Sequence, residues 1–365
     1  MPARKRRCRP FSVDTGDWRR GAPDQFQYDS LYRLTYASGL YGALAYGCDA
    51  VGNRTSQSGG TTNLAETYTY AANSNQLLSV VNSGTTRSLA YSPTGNLASD
   101  DHGNGTALSF TYDLSDRMVQ VANQNQPLAS YAYNFLGQRV AKTTSSTITH
   151  FLYDRAGHLV AESNGATGAA QTEYVWLDRM PLALVTNGAL YFIHADHLNT
   201  PQKATDGARN VAWDTVQRPF GQTEQQTFPS LTNLRFPGQY FDSESGLAQN
   251  GFRDYDPSTG RYIESDPIGL KGGVNVYTYV RGNPVGLIDP RGLASGPSCP
   301  NECAQNQRAL MLAREMLLGL APDRADPNYD ELAPEYNRDV RQFNEEVDLH
   351  NRLCPLNIVF PLRTI

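Results

Sequence analysis

Two acidic turns near the C-terminal end of the chain carry the residues best suited to chemistry. Asp266 and Asp289 each open an Asp-Pro-x-Gly-Leu element, and they lie 23 residues apart. Proline fixes φ and glycine permits a positive φ, so each element predicts a tight turn. A hairpin-like return through residues 274–280 would bring the two carboxyl groups together. The simpler interpretation is two similar turns that close two strands.

A close pair of carboxyl groups could hydrolyse a peptide bond. Such a pair shares a proton because both groups cannot ionise cheaply, so one activates water and the other protonates the carbonyl oxygen. Arg253 lies 13 residues before Asp266 and could stabilise the developing charge. In the structural alternative, the two aspartates only cap turns. Arg253 then pairs only with Asp254 or Asp256.

The composition favours strands and turns as the elements that position these residues. The chain has 365 residues, long enough for two or more domains, with 21 tyrosines, 31 glycines and only 18% charged residues. Its net charge of −5 argues against nucleic acid as the main partner of the shell. A short basic run at residues 4–9 could bind phosphate, but a solvated terminus is the favoured interpretation.

The sequence gives no sign of a membrane span or a signal peptide. No apolar run approaches the roughly 20 residues of a span, and no apolar segment follows the basic start. Export would therefore use another route or a missing upstream segment. The five cysteines allow no clear assignment of redox compartment.

A repeat of about 21 residues determines the expected fold. The aromatic position of each unit recurs at intervals of 20, 22, 21, 21, 21 and 20 residues: Tyr28, Cys48 in its place, Tyr70, Tyr91, Tyr112, Tyr133 and Tyr153. Each unit reads as strand, short turn and strand, which is a hairpin. One hairpin cannot bury its own face, so stacked hairpins predict a mainly β, spiralling sheet that need not close.

The side chains of the repeats are expected to have structural roles. The tyrosines are interpreted as packing residues rather than as a platform for carbohydrate or nucleotide stacking. The aspartates that follow the aromatic position occur once per unit, so they predict turn caps rather than metal ligands. They are Asp29, Asp49, Asp113 and Asp154.

The units and the blocks after them resemble the RHS/YD-repeat family, over roughly residues 25–293. The ordered blocks that carry this resemblance include residues 191–201, 211–214, 218–221 and 235–242. Residues 251–293 are similar to the family's RHS-associated core domain. Asn199 stands where the family usually has glycine, and residues 248–252 contain less tyrosine than the family does.

One block of the resemblance contains a histidine-rich group that could be a metal site. His194, Asp196 and His197 could contribute to a zinc site, but no fourth ligand is evident. The favoured interpretation is hydrogen-bonded residues at the end of a strand. We therefore expect no metal and no cofactor.

The resemblance implies a self-cleaving core. Arg253, Asp266 and Asp289 fall on the family's functional positions. The implied intramolecular aspartic protease would act once, cutting between Leu293 and Ala294. Asparagine at either aspartate should abolish processing.

The composition changes after Leu293. A small-residue linker at 294–298 precedes two expected helices, at 302–320 and 334–353. The second has apolar residues spaced 4, 3 and 4 apart, an amphipathic stripe. No catalytic constellation is evident here. The resemblance places a variable effector at this position.

These observations predict four regions: a basic N-terminal segment at 1–24, repeats at 25–185, the core domain at 186–293 and a variable helical segment at 294–365. The leading hypothesis is a secreted or cell-surface bacterial protein that encloses, presents or releases its own C-terminal segment in interbacterial competition. A secretion-system component or an immunity protein would be its further partner. The rival hypothesis is a non-catalytic adhesive protein that binds carbohydrate or neighbouring cells.

Overall fold

The computed structural model describes residues 24–227 and 231–297, together with Asn337 and Asn344. Backbone contacts divide the chain into one unit at Phe11–Leu293 and a second made of Met1–Pro10 and Ala294–Ile365. The helices expected at 302–320 and 334–353 lie outside the described residues. The exceptions are Asn337 and Asn344, which are helical.

Residues 25–227, which include the repeats and the start of the predicted core domain, form a 20-stranded antiparallel sheet, and this confirms the expected mainly β fold. Each strand pairs with the next one in sequence. The strands are β1 Gln25–Tyr28, β2 Leu34–Gly39, β3 Gly42–Cys48, β4 Arg54–Gly59, β5 Leu64–Tyr70, β6 Leu77–Asn82, β7 Thr85–Tyr91, β8 Leu97–Asp101, β9 Ala107–Tyr112, β10 Met118–Asn123, β11 Gln126–Tyr133, β12 Arg139–Thr144, β13 Ile148–Tyr153, β14 Leu159–Asn164, β15 Ala170–Leu177, β16 Met180–Thr186, β17 Ala189–Ala195, β18 Pro201–Thr205, β19 Val211–Gln217 and β20 Thr223–Thr227.

The sheet is not closed, but its last strand contacts the turn between β4 and β5. Within the described residues, β1 pairs only with β2 and β20 only with β19. The Thr61 hydroxyl, in the turn before β5, nevertheless donates to Glu224 of β20. Arg218, just before β20, lies 3.5 Å from the Thr62 hydroxyl. Side chains therefore connect elements that are about 160 residues apart in sequence.

The aspartates of the repeats cap turns, as expected. In the first unit, Asp29 Oδ1 accepts hydrogen bonds from the backbone N–H groups of Leu31 and Arg33, both at 2.9 Å. The same pattern recurs at the other three predicted positions, Asp49, Asp113 and Asp154. A side-chain acceptor that satisfies two turn donors explains why aspartate suits this position in a hairpin.

The tyrosine of a unit binds the preceding unit. The Tyr112 hydroxyl donates to the Leu97 carbonyl at 2.9 Å, and the Tyr133 hydroxyl donates to Met118 at 2.8 Å. Each ring packs against the buried face of the sheet, while its polar end satisfies a carbonyl at the start of the neighbouring hairpin. The packing role expected for these tyrosines is confirmed at these positions.

A second, smaller sheet carries Arg253 and ends shortly before the first acidic turn. Its four antiparallel strands are β21 Gln239–Asp242, β22 Leu247–Asn250, β23 Arg253–Asp256 and β24 Arg261–Tyr262. Behind it lies a cluster of fully buried rings, with Tyr255 and Tyr279 centred 4.5 Å apart. Two short strands follow, β25 Leu287–Ile288 and β26 Gly296–Pro297.

The prediction that residues 274–280 form a hairpin-like return is wrong, because this stretch is irregular backbone. This stretch contains no strand, and 3-10 helices at Gly269–Lys271 and Val280–Gly282 flank it. Single backbone bonds hold it instead: the Asp266 N–H donates to Val276 at 3.0 Å, and the Tyr262 N–H donates to Tyr277 at 2.9 Å. Glycine and proline flank the stretch and favour irregular backbone over a ladder.

The turns of the large sheet anchor this irregular segment. The Asn275 amide donates to Asn53 Oδ1 at 2.7 Å, and the Tyr277 hydroxyl donates to the Gly95 carbonyl at 2.7 Å. These contacts link residues about 180 to 220 apart in sequence. The repeats therefore supply the frame that holds the core segment in place.

Candidate active site

Arg253 brings the two aspartates of the acidic turns together. Its Nη2 lies 3.0 Å from Asp266 Oδ2 and 3.6 Å from Asp289 Oδ2. All three side chains are at least 95% buried. A guanidinium group that bridges two carboxyl groups lowers the cost of placing both in one buried site.

Arg253 is held rigidly on β23. Its Nε donates to the Gly292 carbonyl at 2.6 Å, and its Nη1 donates to Val276 at 3.0 Å. The guanidinium lies 3.7 Å from the centre of the Tyr262 ring, which adds a cation–π contact. Arg253 therefore touches both acidic turns and the loop between them.

The alternative pairing of Arg253 with its neighbours in sequence is not observed. Asp256 pairs with Arg87 of β7 at 2.8 Å. Asp254 contacts Glu264 through its backbone N–H, at 2.8 Å. Within the described residues, the ion pairs of Arg253 are those with Asp266 and Asp289.

Asp289 accepts hydrogen bonds at both carboxyl oxygens. The Tyr262 hydroxyl donates to Oδ2 at 2.9 Å, and the Leu293 N–H donates to Oδ1 at 3.0 Å. Asn250 supports this arrangement, since its amide donates to the Tyr262 hydroxyl at 2.8 Å and to the Asp289 carbonyl at 3.0 Å. Hydrogen bonds from Tyr262, Leu293 and Asn250 therefore fix the position of Asp289.

Asp266 lies in a different environment. Its Oδ1 accepts the Ile268 N–H at 3.0 Å. Burial raises the pKa of Asp266 above its usual value, Arg253 opposes this rise, and the nearby Asp289 adds to it. The raised pKa favours the protonated form of Asp266.

Gly272 shows that the Leu293 carbonyl lies close to Asp266. A Cβ atom on Gly272 would overlap with Asp266 Oδ2 and lie 3.2 Å from the Leu293 carbonyl oxygen. Both oxygens therefore border the space that the missing side chain leaves open. The carbonyl of the predicted scissile bond and one predicted catalytic carboxyl group therefore lie next to the same glycine.

Two family models match the chain outside the acidic turns. The model described as Teneurin YD-shell matches residues 32–179, and the model described as RHS protein matches residues 190–227. The chain belongs to the RHS/YD-repeat family. The resemblance stated from the sequence is confirmed.

Curated relatives of this RHS/YD-repeat chain include proteins named as toxins. It is 34% identical over 238 residues to "Double-stranded DNA deaminase toxin A" of Burkholderia cenocepacia. This match covers 56% of this chain and 17% of that protein. It is 41% identical over 102 residues to "Toxin protein Tse5" of Pseudomonas aeruginosa, which covers 28% of this chain and 8% of that protein. The chain therefore spans less than a fifth of the length of these two relatives.

Solved structures also match the RHS/YD-repeat chain, at low similarity. The crystal structure of TcdB2-TccC3 matches 74% of this chain and 22% of that chain, with 16% identity and a TM-score of 0.30. A match of this size carries no argument about the site or its function.

The histidine-rich group at residues 194–197 is structural. His194 contacts the Thr205 hydroxyl at 3.0 Å, and His197 contacts the Val285 carbonyl at 2.8 Å. Asp196 Oδ1 accepts the N–H groups of Leu198 and Thr200 and so caps a turn. The part of the chain that the structure describes holds no group of three metal-ligating side chains.

Sequence reasoning missed three residues of the site: Asn250, Tyr262 and Gly272. Asn250 and Tyr262 lie on strands whose pattern predicts packing, and nothing in their spacing relates them to Asp289. Gly272 begins a Gly-Gly pair, which predicts only a turn. Its conformation, with φ −76° and ψ −20°, is one that any residue adopts, so space rather than backbone geometry makes glycine necessary here.

Proposed function

We propose that this chain is the shell and core region of a toxin-delivery protein, and that its core cuts its own backbone after Leu293. The observation that carries this proposal is the bridging of Asp266 and Asp289 by Arg253, with the Leu293 carbonyl beside Asp266. The toxin names of relatives of this chain support the delivery role. The delivered segment would be the chain after Leu293.

The proposed reaction uses both carboxyl groups in one step. Ionised Asp289 takes a proton from a water molecule as the water oxygen attacks the Leu293 carbonyl carbon. Protonated Asp266 gives its proton to the carbonyl oxygen. The C–N bond of this tetrahedral intermediate then breaks: Asp289 gives its proton to the leaving nitrogen, and one hydroxyl group of the intermediate returns a proton to Asp266. Leu293 keeps a new carboxyl group and Ala294 a new amino terminus.

Arg253 has two roles in this proposal. Its charge limits the cost of holding the site's negative charge away from water. Its Nε bond to the Gly292 carbonyl fixes the backbone one residue before the bond to be cut. A backbone held in place before reaction lowers the entropic part of the barrier.

The proposed setting is the bacterial cell surface or the extracellular space, as for a toxin-delivery protein. Among the described residues, no helix is long and apolar enough to cross a membrane. The partner proposed first is the chain's own C-terminal segment. A secretion-system component and an immunity protein are proposed as further partners.

Intact-mass spectrometry of the purified full chain tests self-cleavage. The wild type should give one fragment that ends at Leu293 and another that begins at Ala294, whereas Asp266→Asn and Asp289→Asn should each give one uncut chain. Asp178→Asn is the matched control, since Asp178 is exposed and its positive φ of 53° suits asparagine. The control should be cut like the wild type.

An uncut wild type would overturn the cleavage proposal and favour the rival adhesive function. Cleavage that persists in both asparagine variants would rule out the acid pair. A native gel of the cut protein adds information about delivery: an enclosing shell should keep both fragments together until denaturant is added.

A further inference from the structure

A second pair of acidic side chains lies beside the candidate active site, on the same two segments. Asp254 follows Arg253 on β23, and Glu264 precedes Asp266 by two residues. Their side chains are buried, with 4% of Asp254 and 2% of Glu264 exposed. Neither residue has a role in the proposed cleavage step.

Backbone and side-chain bonds join the two segments at this pair. The Ile263 N–H donates to the Asp254 carbonyl at 3.0 Å, and the Asp254 N–H donates to Glu264 Oε2 at 2.8 Å. Side chains alternate along a strand, so Arg253 and Asp254 point to opposite faces of β23. The pair therefore holds β23 on the face opposite to the one that carries Arg253.

The geometry of the pair suits a shared proton. The bond from the Asp254 N–H places the Glu264 carboxyl group beside Asp254, and two ionised carboxyl groups contain no donor that could join them. One oxygen of each group, Asp254 Oδ1 and Glu264 Oε1, is buried and has no hydrogen-bond partner. One proton between these two oxygens would satisfy both.

The charged and titratable groups around the pair do not replace this proton. Those that act on it are Arg117, Arg139 and Asp242 together with the phenols of Tyr112, Tyr131 and Tyr133. The Arg139 guanidinium is engaged by Asp242, and Arg117 Nη2 donates to Gly251. The phenols of Tyr112 and Tyr133 donate to carbonyl groups, and that of Tyr131 donates to Glu244. Within the described residues, neither Asp254 nor Glu264 forms an ion pair.

The pKa values agree with this geometry. Burial raises the pKa of Asp254 to about 6, with the charge of Asp242 adding to the rise and Arg139 opposing it. Burial raises the pKa of Glu264 well above its usual value, and the charge of Asp254 raises it further. Both directions favour a bound proton at pH values where exposed carboxyl groups are ionised.

We propose that Asp254 and Glu264 share one proton, and that this proton keeps the segment of Arg253 against the segment of Asp266. The pair is a positioning device for the cleavage site. The shared proton is independent of cleavage, whereas the positioning role rests on the proposed function. Loss of the proton would leave two buried negative charges in contact, and the two segments would separate.

The sign of the pH dependence follows from the raised pKa values. The folded chain binds the proton more tightly than the unfolded chain, so folding is favoured below the pKa of the folded state. It becomes less favourable as pH rises through that range. A pKa raised from 3.8 to about 6 corresponds to proton binding that is about 100-fold tighter in the folded chain.

Thermal unfolding of the full chain tests the shared proton. The chains with and without the Glu264 substitution both carry Asp289→Asn, so that cleavage does not change the sample. The temperature at the midpoint of unfolding should decrease as the pH is raised from about 5.5 to about 8.5. Glu264→Gln should remove most of this decrease. A glutamine amide can donate to Asp254 and still accept its N–H, so it replaces the proton permanently.

Two further variants keep this test decisive. Glu173→Gln removes an exposed carboxyl group of β15 and should keep the full pH-dependent fall. Asp254→Asn replaces Glu264→Gln if the latter does not fold. If Glu264→Gln and Asp254→Asn both keep the full pH-dependent decrease of the unfolding temperature, the shared proton is overturned.

The positioning role is tested by the rate of cleavage during cell-free synthesis of the full chain. Glu264→Ala should slow cleavage by about tenfold or more, and Glu264→Gln should restore the wild-type rate. Wild-type cleavage in Glu264→Ala would overturn the positioning role. A wild type that never cuts would defeat the proposed function, while the unfolding result would still stand for the shared proton.

Discussion

Gly272→Ala gives the sharpest test of the site geometry. The backbone at Gly272 accepts alanine without strain, since φ is −76° and ψ is −20°. The new Cβ atom would overlap with Asp266 Oδ2. Arg253 contacts this oxygen, and the Ile268 N–H holds Oδ1 of the same carboxyl group. The only strong effect expected is therefore displacement of Asp266 from the Leu293 carbonyl.

The size of this effect follows from the overlap. To restore ordinary van der Waals contact, the carboxyl group must move by about 1 Å. A misplacement of that size in a catalytic group costs roughly 100-fold in rate, or about 2.7 kcal/mol in the barrier. Overpacking should also lower the free energy of unfolding by about 1–3 kcal/mol.

The assay is the rate of appearance of the shorter fragments after cell-free synthesis, followed on a denaturing gel. Gly207→Ala is the matched control, because a Cβ atom there meets nothing within 4 Å and its φ is not positive. The control should cleave at the wild-type rate, and both variants should be soluble and folded. If Gly272→Ala cleaves as fast as Gly207→Ala, Asp266 does not act on the Leu293 carbonyl from the position described.

Two further predictions concern stability. Arg139→Met leaves the buried carboxyl group of Asp242 without its main partner and should lower the free energy of unfolding by about 3–5 kcal/mol in urea. The exposed control Arg155→Met should change it by less than about 0.5 kcal/mol, and equal losses would contradict the assigned pairing. Burial raises the pKa of Asp256, but Arg87 and nearby hydroxyl donors outweigh it and lower the pKa to about 2. The resulting stability of about 2 kcal/mol should be present above about pH 4 and lost as pH falls through about 2. In an acid titration followed by circular dichroism, the Asp256→Asn variant should not show this loss of stability.

The repeat fold was predictable because its signals are local. A period of about 21 residues, an aromatic residue and an aspartate or asparagine at the turn together specify a hairpin without any distant contact. The capping of turns by Asp29 and its equivalents follows from the same local chemistry. The path of residues 274–280 was not predictable in this way, because its backbone is fixed by bonds to turns such as those at Asn53 and Gly95.

The sequence by itself determined the types of the reacting groups and the turns that present them. Two Asp-Pro-x-Gly-Leu elements supply the carboxyl groups, and proline and glycine set their local conformation. Only the tertiary structure decided that Arg253 bridges them and that Tyr262 donates to one of them. It alone also placed Asp254 against Glu264 on the reverse face of β23. The physical reason is that strand alternation fixes which face a side chain occupies, whereas the partner it meets there depends on how distant segments pack.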